Sequence, residues 1–95
     1  MKTTVTIADD SRLSRRAIMK ALPEEWEIEL HEAENGVQAL QNIRAGKAQV
    51  LFLDLQMPEM DGFQVLDYLY EHGAKVITIV ISADIQPESQ KYVLA

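Results

Sequence analysis

Three aspartates and a serine each follow a short apolar run, and their oxygen atoms are suited to binding a cation. Asp9 and Asp10 come directly after the first of these runs, and Asp54 follows the third. Ser82 follows the fourth. Carboxylates held about 4 Å apart repel each other by about 4 kcal/mol per pair at an effective dielectric of 20, and a bound cation removes that cost. Oxygen ligands without cysteine favour a hard ion, and Mg²⁺ suits two carboxylates completed by water.

Each aspartate taken singly has an ordinary structural explanation. Asp9 and Asp10 suit the cap of a helix, and Asp54 suits the start of a turn. The prediction of a metal site therefore requires that all three carboxylates lie close together at the same edge of the sheet.

The runs that precede these residues have the composition of β-strands. Residues 5–8 are rich in β-branched side chains, and residues 50–53 are apolar at every position. Residues 50–53 and 76–81 are predicted to be strands covered on both faces. Residues 26–31 alternate apolar with polar side chains, which predicts a strand near the edge of a sheet.

Residues 11–22 have the apolar spacing of a helix with one buried face. Asp10 or Ser11 can cap its first turn, and Pro23 ends it. The face predicted to be buried consists of Leu13, Ala17, Ile18, Ala21 and Leu22.

The one basic patch of the chain also lies on this first helix. It consists of Arg12, Arg15 and Arg16. We interpret it as a solvated helix face, and docking of a partner protein is the alternative.

Two further helices are predicted, and each has a glycine where it ends. One begins at Asn35 and Gly36 and ends at Gly46; the other begins at Asp61 and ends at Gly73. Alternation of strands and helices with apolar inner strands predicts an α/β fold, a doubly wound parallel sheet with helices on both faces. Ligands of such sheets bind beyond the carboxyl ends of the strands, which is where the aspartates fall.

The composition fits one small globular domain and excludes several classes of protein. The chain has 95 residues, of which 47% are hydrophobic and 25% charged. The lack of cysteine excludes disulfides, thiolate metal sites and thiol catalysis. We see no signal peptide and no apolar run of the ~20 residues that a membrane helix needs, so we expect a cytoplasmic protein. A net charge of −6 is the wrong sign for direct binding to nucleic acid.

The sequence around the aspartates resembles the receiver domain of two-component response regulators. The likeness is carried by Asp9 and Asp10, by LDLQMPEMDG at residues 53–62 and by ISA at residues 81–83, and it runs from Thr4 to the last residue. It implies a receiver domain over residues 1–95 with the flavodoxin-like strand order 2-1-3-4, made of three layers.

The resemblance also implies a chemistry for each aspartate. Asp54 would accept a phosphoryl group from a histidine kinase or a phosphotransfer protein, and this would switch an output or partner surface. Asp10 and Asp54 would bind Mg²⁺ through their side chains, with the backbone carbonyl of Gln56 as a third ligand. Asp9 would act through a water molecule. Such a domain is no enzyme beyond promoting phosphotransfer to, and hydrolysis from, its own Asp54.

By the same likeness, two residues after the fourth strand would respond to phosphorylation. Ser82 would supply the switch hydroxyl that hydrogen-bonds the phosphoryl group, and Ala83 would be the small residue that leaves room for it. Movement of Ser82 toward the phosphoryl group would shift the loop after the strand and so change a surface that partners use.

The sequence departs from the family after Ala83. The family has a fifth strand and helix, with a lysine at the end of that strand, and no catalytic lysine is identified here because Lys91 lies in a predicted helix over residues 87–94. We therefore expect a receiver that is incomplete at its C-terminus. Residues 76–81 would then form an open apolar edge, which a homodimer could cover by strand pairing or by a domain swap.

Two alternative functions remain open from the residues. One is a vestigial receiver-like module that serves only interaction or dimerisation. The other is a phosphohydrolase of the haloacid-dehalogenase-like kind with an aspartate nucleophile, but such enzymes need a second aspartate two residues later, where Gln56 stands.

Overall fold

A computed structural model describes residues 2–81 of the chain. The predictions for Ser82, Ala83 and residues 87–94, including Lys91, lie outside these residues. Between residues 2 and 81, the helices are too short or too polar to cross a membrane.

Strands and helices alternate along the described residues. The strands are β1 (Thr3–Ala8), β2 (Ile28–Ala33), β3 (Val50–Asp54) and β4 (Ile77–Ile81). The helices are α1 (Arg12–Ala21), α2 (Gly36–Arg44) and α3 (Gly62–Glu71). All strand pairs are parallel and the order is β2-β1-β3-β4. The predicted parallel sheet and its order 2-1-3-4 are confirmed.

The register of the sheet brings the carboxyl ends of the strands level. Ala8, the last residue of β1, pairs with Ala33 on one side and Leu53 on the other. Asp54, the last residue of β3, pairs with Ile81. The residues that follow β1 and those that end β3 therefore share one edge of the sheet.

Each helix begins at a polar cap. The side chains of Ser11, Asn35 and Asp61 accept hydrogen bonds from backbone N–H groups in the first turns of α1, α2 and α3. Asp61 also forms a capping box with Gln64. The sequence allowed either Asp10 or Ser11 as the cap of α1, and the structure shows that it is Ser11. The predicted helix starts at Asn35 and Asp61 are confirmed.

The core lies between the sheet and helices α2 and α3. Leu51 and Leu53 of β3 are fully buried, and so is Val65 of α3. Met57, in the loop after β3, joins the same cluster. Burial of β3 anchors the strand that ends in Asp54.

Two expectations about burial are wrong for the described residues. On α1, Leu13 is 80% exposed, and Ala17 and Ala21 are exposed as well. On β4, Ile77 is 67% exposed and Ile79 is 42% exposed, although both faces were predicted to be covered. Periodicity shows which side chains share a face, but it does not show whether another element covers that face.

Candidate functional site

The structure brings the three predicted aspartates together at the carboxyl edge of the sheet. Asp9, Asp10 and Asp54 each offer a carboxylate oxygen, and these oxygens lie within 4.8 Å of one another. Asp9 is buried, Asp54 is half-buried and Asp10 is exposed. The predicted clustering is therefore confirmed, while the role of each residue in binding stays a prediction.

The short connection from β1 to α1 fixes Asp9. Its carboxylate Oδ1 accepts a hydrogen bond of 2.9 Å from the backbone N–H of Ser11. Its own backbone N–H donates to the carbonyl of Ala33, at the end of β2, over 3.0 Å. Asp9 is thus held by the neighbouring strand and by the cap of α1, and Asp10 follows it directly.

Asp54 is oriented by the loop that follows it. Its Oδ1 accepts a hydrogen bond of 3.1 Å from the backbone N–H of Gln56. Burial raises the pKa of Asp54 above its ordinary value, and the negative charges of Asp9 and Asp10 raise it further, against the opposing effect of the Gln56 hydrogen bond. The ionised form of Asp54 is therefore destabilised by its surroundings.

The loop between β3 and α3 is tied at two points. The N–H of Gly62 donates to the carbonyl of Leu55 over 3.2 Å, and the N–H of Gly36 donates to the carbonyl of Met60 over 2.9 Å. Glu59 adopts a φ of 65°, in the left-handed region. The loop thus turns back tightly and rests on the start of α2. Gln56 lines the same open pocket as the three aspartates.

Asp54→Asn is expected to stabilise the protein at neutral pH in the absence of divalent cations. A raised pKa in the folded state means that the folded protein holds this proton more tightly than the unfolded chain. Ionisation of Asp54 therefore lowers stability as pH rises from the ordinary aspartate pKa to the raised one, and the loss persists above it. Asparagine keeps the oxygen that accepts from Gln56.

Urea unfolding of both proteins in EDTA, followed from acidic to neutral pH, measures this difference. The advantage of the variant should shrink as the pH falls and Asp54 takes up its proton. A variant that is less stable than the wild type at pH 7 contradicts the prediction.

Sequence reasoning missed one residue of the site. Arg15, interpreted as part of a solvated basic face, is buried with a side chain that is 7% exposed. Its Nη1 donates to the backbone carbonyl of Asp9 over 2.6 Å, and its Nε donates to Glu32 over 2.8 Å. Arg12 and Arg16 are exposed as expected.

The inward face of α1 is therefore partly polar. In α1 and its two caps Arg15 is buried, and the half-buried residues recur with it at intervals of three and four: Ser11, Ser14, Ile18, Met19 and Leu22. The available signal was this spacing together with two glutamates near the end of β2. Glu32 accepts a hydrogen bond from the buried guanidinium, and Glu34, just after the strand, lies 3.8 Å from it.

Comparison with known proteins gives a consistent result. The sequence matches the family described as response regulator receiver domain over residues 5–95. It is 40% identical over 83 residues to an uncharacterized response regulatory protein of Vibrio cholerae, covering 84% of this chain and 31% of that protein. It is 37% identical over 82 residues to a protein-glutamate methylesterase/protein-glutamine glutaminase of Geobacter sulfurreducens, covering 85% of this chain and 22% of that protein.

A solved structure supports the same comparison. The isolated REC domain of RcsB from Salmonella enterica serovar Typhimurium, in the presence of phosphomimetic BeF3⁻, superposes with a TM-score of 0.83 at 28% identity. The match covers 99% of this chain and 71% of that chain. By contrast, the chain spans less than a third of the length of either sequence relative.

Proposed function

The chain belongs to the response regulator receiver domain family, and from that premise we propose that it is a phosphorylation-controlled switch with Asp54 as phosphoacceptor. The observation that carries the proposal is the cluster of three carboxylates within 4.8 Å at the carboxyl edge of a parallel sheet. Two-component signalling is the process to which such domains belong, and we propose a histidine kinase or a phosphotransfer protein as the donor.

The donor set fits a hard divalent cation such as Mg²⁺. Mg²⁺ is usually bound by one or two carboxylates together with water molecules, and the three carboxylates of this cluster supply such oxygen ligands. In our proposal Asp10 and Asp54 bind the ion directly, the carbonyl of Gln56 is the third protein ligand, and Asp9 acts through a water molecule. A bound ion would neutralise part of the negative charge on the incoming phosphoryl group.

We propose that Asp54 acts as the nucleophile. Oδ1 accepts the hydrogen bond from Gln56 and keeps a second lone pair for the proposed ion, and we propose that the other oxygen attacks phosphorus. That oxygen forms a new bond to phosphorus, while the bond from phosphorus to the donor breaks and its electron pair leaves with the donor. The product adds negative charge and acceptor oxygens to the edge of the sheet.

The alternative of a phosphohydrolase lacks its acid and base. The position two residues after Asp54 carries Gln56, whose amide does not exchange protons as a carboxylate does. We therefore propose that the chain carries no enzymatic activity beyond its own phosphorylation and dephosphorylation. We also propose that it acts through partner proteins, a second copy among them, rather than through nucleic acid or a membrane.

Treatment of the purified chain with acetyl phosphate and Mg²⁺ tests the proposed function. We expect intact mass spectrometry to show one added phosphoryl group, which Asp54→Asn and EDTA both abolish. Asp67→Asn is the matched control, because this aspartate of α3 is exposed and undergoes the same chemical change away from the cluster.

The other outcomes distinguish the alternatives. Labelling that survives Asp54→Asn contradicts the assignment of the phosphoacceptor. A folded wild-type chain that takes up no label supports the vestigial module, and rapid turnover of unrelated phosphate esters supports the hydrolase.

A further inference from the structure

The geometry points to Arg15 as a positioning residue that holds the Asp9–Asp10 segment in the conformation that binds Mg²⁺. Arg15 itself touches neither the proposed ion nor the phosphoryl group; it acts through the backbone of Asp9. The inference rests on the proposed function, because it concerns the same site.

Arg15 completes the hydrogen bonding of Asp9. The backbone N–H of Asp9 donates to Ala33, and its carboxylate accepts from Ser11. Its carbonyl accepts from the Arg15 guanidinium, in a buried hydrogen bond of 2.6 Å. The amide, the carbonyl and the side chain of Asp9 are therefore all held, which fixes the direction in which the chain leaves β1 toward Asp10.

The charge of Arg15 is balanced away from the aspartates. Its Nε lies 2.8 Å from Glu32 Oε1, and its Nη2 lies 3.8 Å from Glu34 Oε1. Glu32 is the second-last residue of β2 and Glu34 follows the strand, so the guanidinium of this α1 residue joins the ends of β1 and β2. Glu32 and Glu34 therefore neutralise the positive charge of Arg15, although the guanidinium is buried beside the three aspartates.

A guanidinium suits this position better than an ammonium does. Its planar fork donates from several nitrogens at fixed angles, so that one side chain reaches a backbone carbonyl and a carboxylate together. A lysine ammonium at the same place keeps the charge but presents a single donor atom. We expect Arg15→Lys to retain part of the positioning effect.

Charge and positioning predict opposite changes in Mg²⁺ affinity, which makes the test decisive. If Arg15 acted only as a nearby positive charge, Arg15→Met would tighten Mg²⁺ binding to the three carboxylates. If it positions Asp9, the same change weakens binding, by about tenfold as for other residues that orient metal ligands. Arg16→Met is the matched control, because Arg16 is adjacent and exposed and its replacement removes the same charge.

The experiment is a Mg²⁺ titration under conditions in which each protein is folded, with binding measured from the changes in amide chemical shifts. The proteins compared are the wild type, Arg15→Met, Arg15→Lys and Arg16→Met. We expect weaker binding in both Arg15 variants, more so with methionine, and wild-type affinity in Arg16→Met. Hydrogen exchange of the Ser11 amide, which donates to Asp9, should accelerate in the Arg15 variants even without Mg²⁺.

Each outcome bears on one proposal. Unchanged or tighter Mg²⁺ binding in the folded Arg15 variants overturns the positioning role. If Arg15→Met does not fold, the Mg²⁺ affinity of Arg15→Lys tests the positioning role in the same way. If the wild-type chain binds no Mg²⁺, the proposed function fails, and unchanged exchange at Ser11 would still refute the positioning of Asp9.

Discussion

Alanine in place of Gly62 is expected to destabilise the fold by about 3 kcal/mol, the upper end of the usual cost of overpacking, and to abolish Mg²⁺ binding. A Cβ atom at this position would collide with the carbonyl oxygen of Asp54 and lie 2.7 Å from the Cα of Leu55. Both contacts are with backbone, which cannot turn aside as a flexible side chain can. The displaced segment would be the end of β3, which carries the proposed phosphoacceptor.

Gly46→Ala is the control that separates steric overlap from the general cost of replacing glycine. Gly46 has a φ of 74°, and nothing lies within 4 Å of an added Cβ. Alanine there costs only the left-handed conformation, about 1 to 2 kcal/mol. Urea unfolding monitored by circular dichroism measures the loss of stability in each variant, and a Mg²⁺ titration measures the change in Mg²⁺ affinity. A Gly62→Ala protein that is as stable as Gly46→Ala and still binds Mg²⁺ would refute the steric argument.

The clustering of the aspartates could be predicted because it depends on topology alone. Apolar runs that stop at Asp9 and at Asp54 identify two strand ends, and a parallel sheet places such ends at one edge. The prediction needed no knowledge of side-chain contacts. For this reason the position of the candidate site could be predicted more completely than the buried faces of the helices could.

The position of Arg15 could not be predicted in the same way. Burial of an arginine depends on acceptors that meet it in space, and here these are Asp9 and Glu32, six and seventeen residues away in the chain. A local pattern of apolar spacing ranks arginine as solvent-facing and selects Leu13 for the core instead. The structure reverses both assignments, because α1 turns a partly polar face toward the sheet.

The contact between the β3–α3 loop and α2 could not be predicted from the sequence either. Asn35 and Gly36 indicate the start of a helix, and they do so correctly. Nothing in their spacing shows that the N–H of Gly36 donates to Met60, or that a side chain at position 36 would overlap Met60. This contact joins the loop after Asp54 to a second helix, and it arises only when the chain has folded.

Mg²⁺ is expected to reverse the order of stability between the wild-type protein and Asp10→Asn. Without divalent cations the variant should be the more stable, by about 1 kcal/mol for each of the two repulsions that it relieves, with Asp9 and with Asp54, between charges about 4 Å apart in water. Asp10 is exposed and its carboxylate lies in the cluster, so its replacement removes charge without opening a cavity. The control change Asp67→Asn should leave stability nearly unchanged.

With Mg²⁺ at about 100 times its dissociation constant, the wild type should gain about 2.7 kcal/mol because the ion binds the folded state. For a domain of this size that is a rise in Tm of about 10 °C or more. Asp10→Asn lacks one of the proposed ligands and should gain little, so the wild type becomes the more stable protein. Thermal unfolding in EDTA and in MgCl₂, with NaCl matched for ionic strength, measures both comparisons and removes simple screening as an explanation. An equal rise in Tm for the two proteins would show that the ion binds without Asp10 and would contradict the assignment of Asp10 as a ligand.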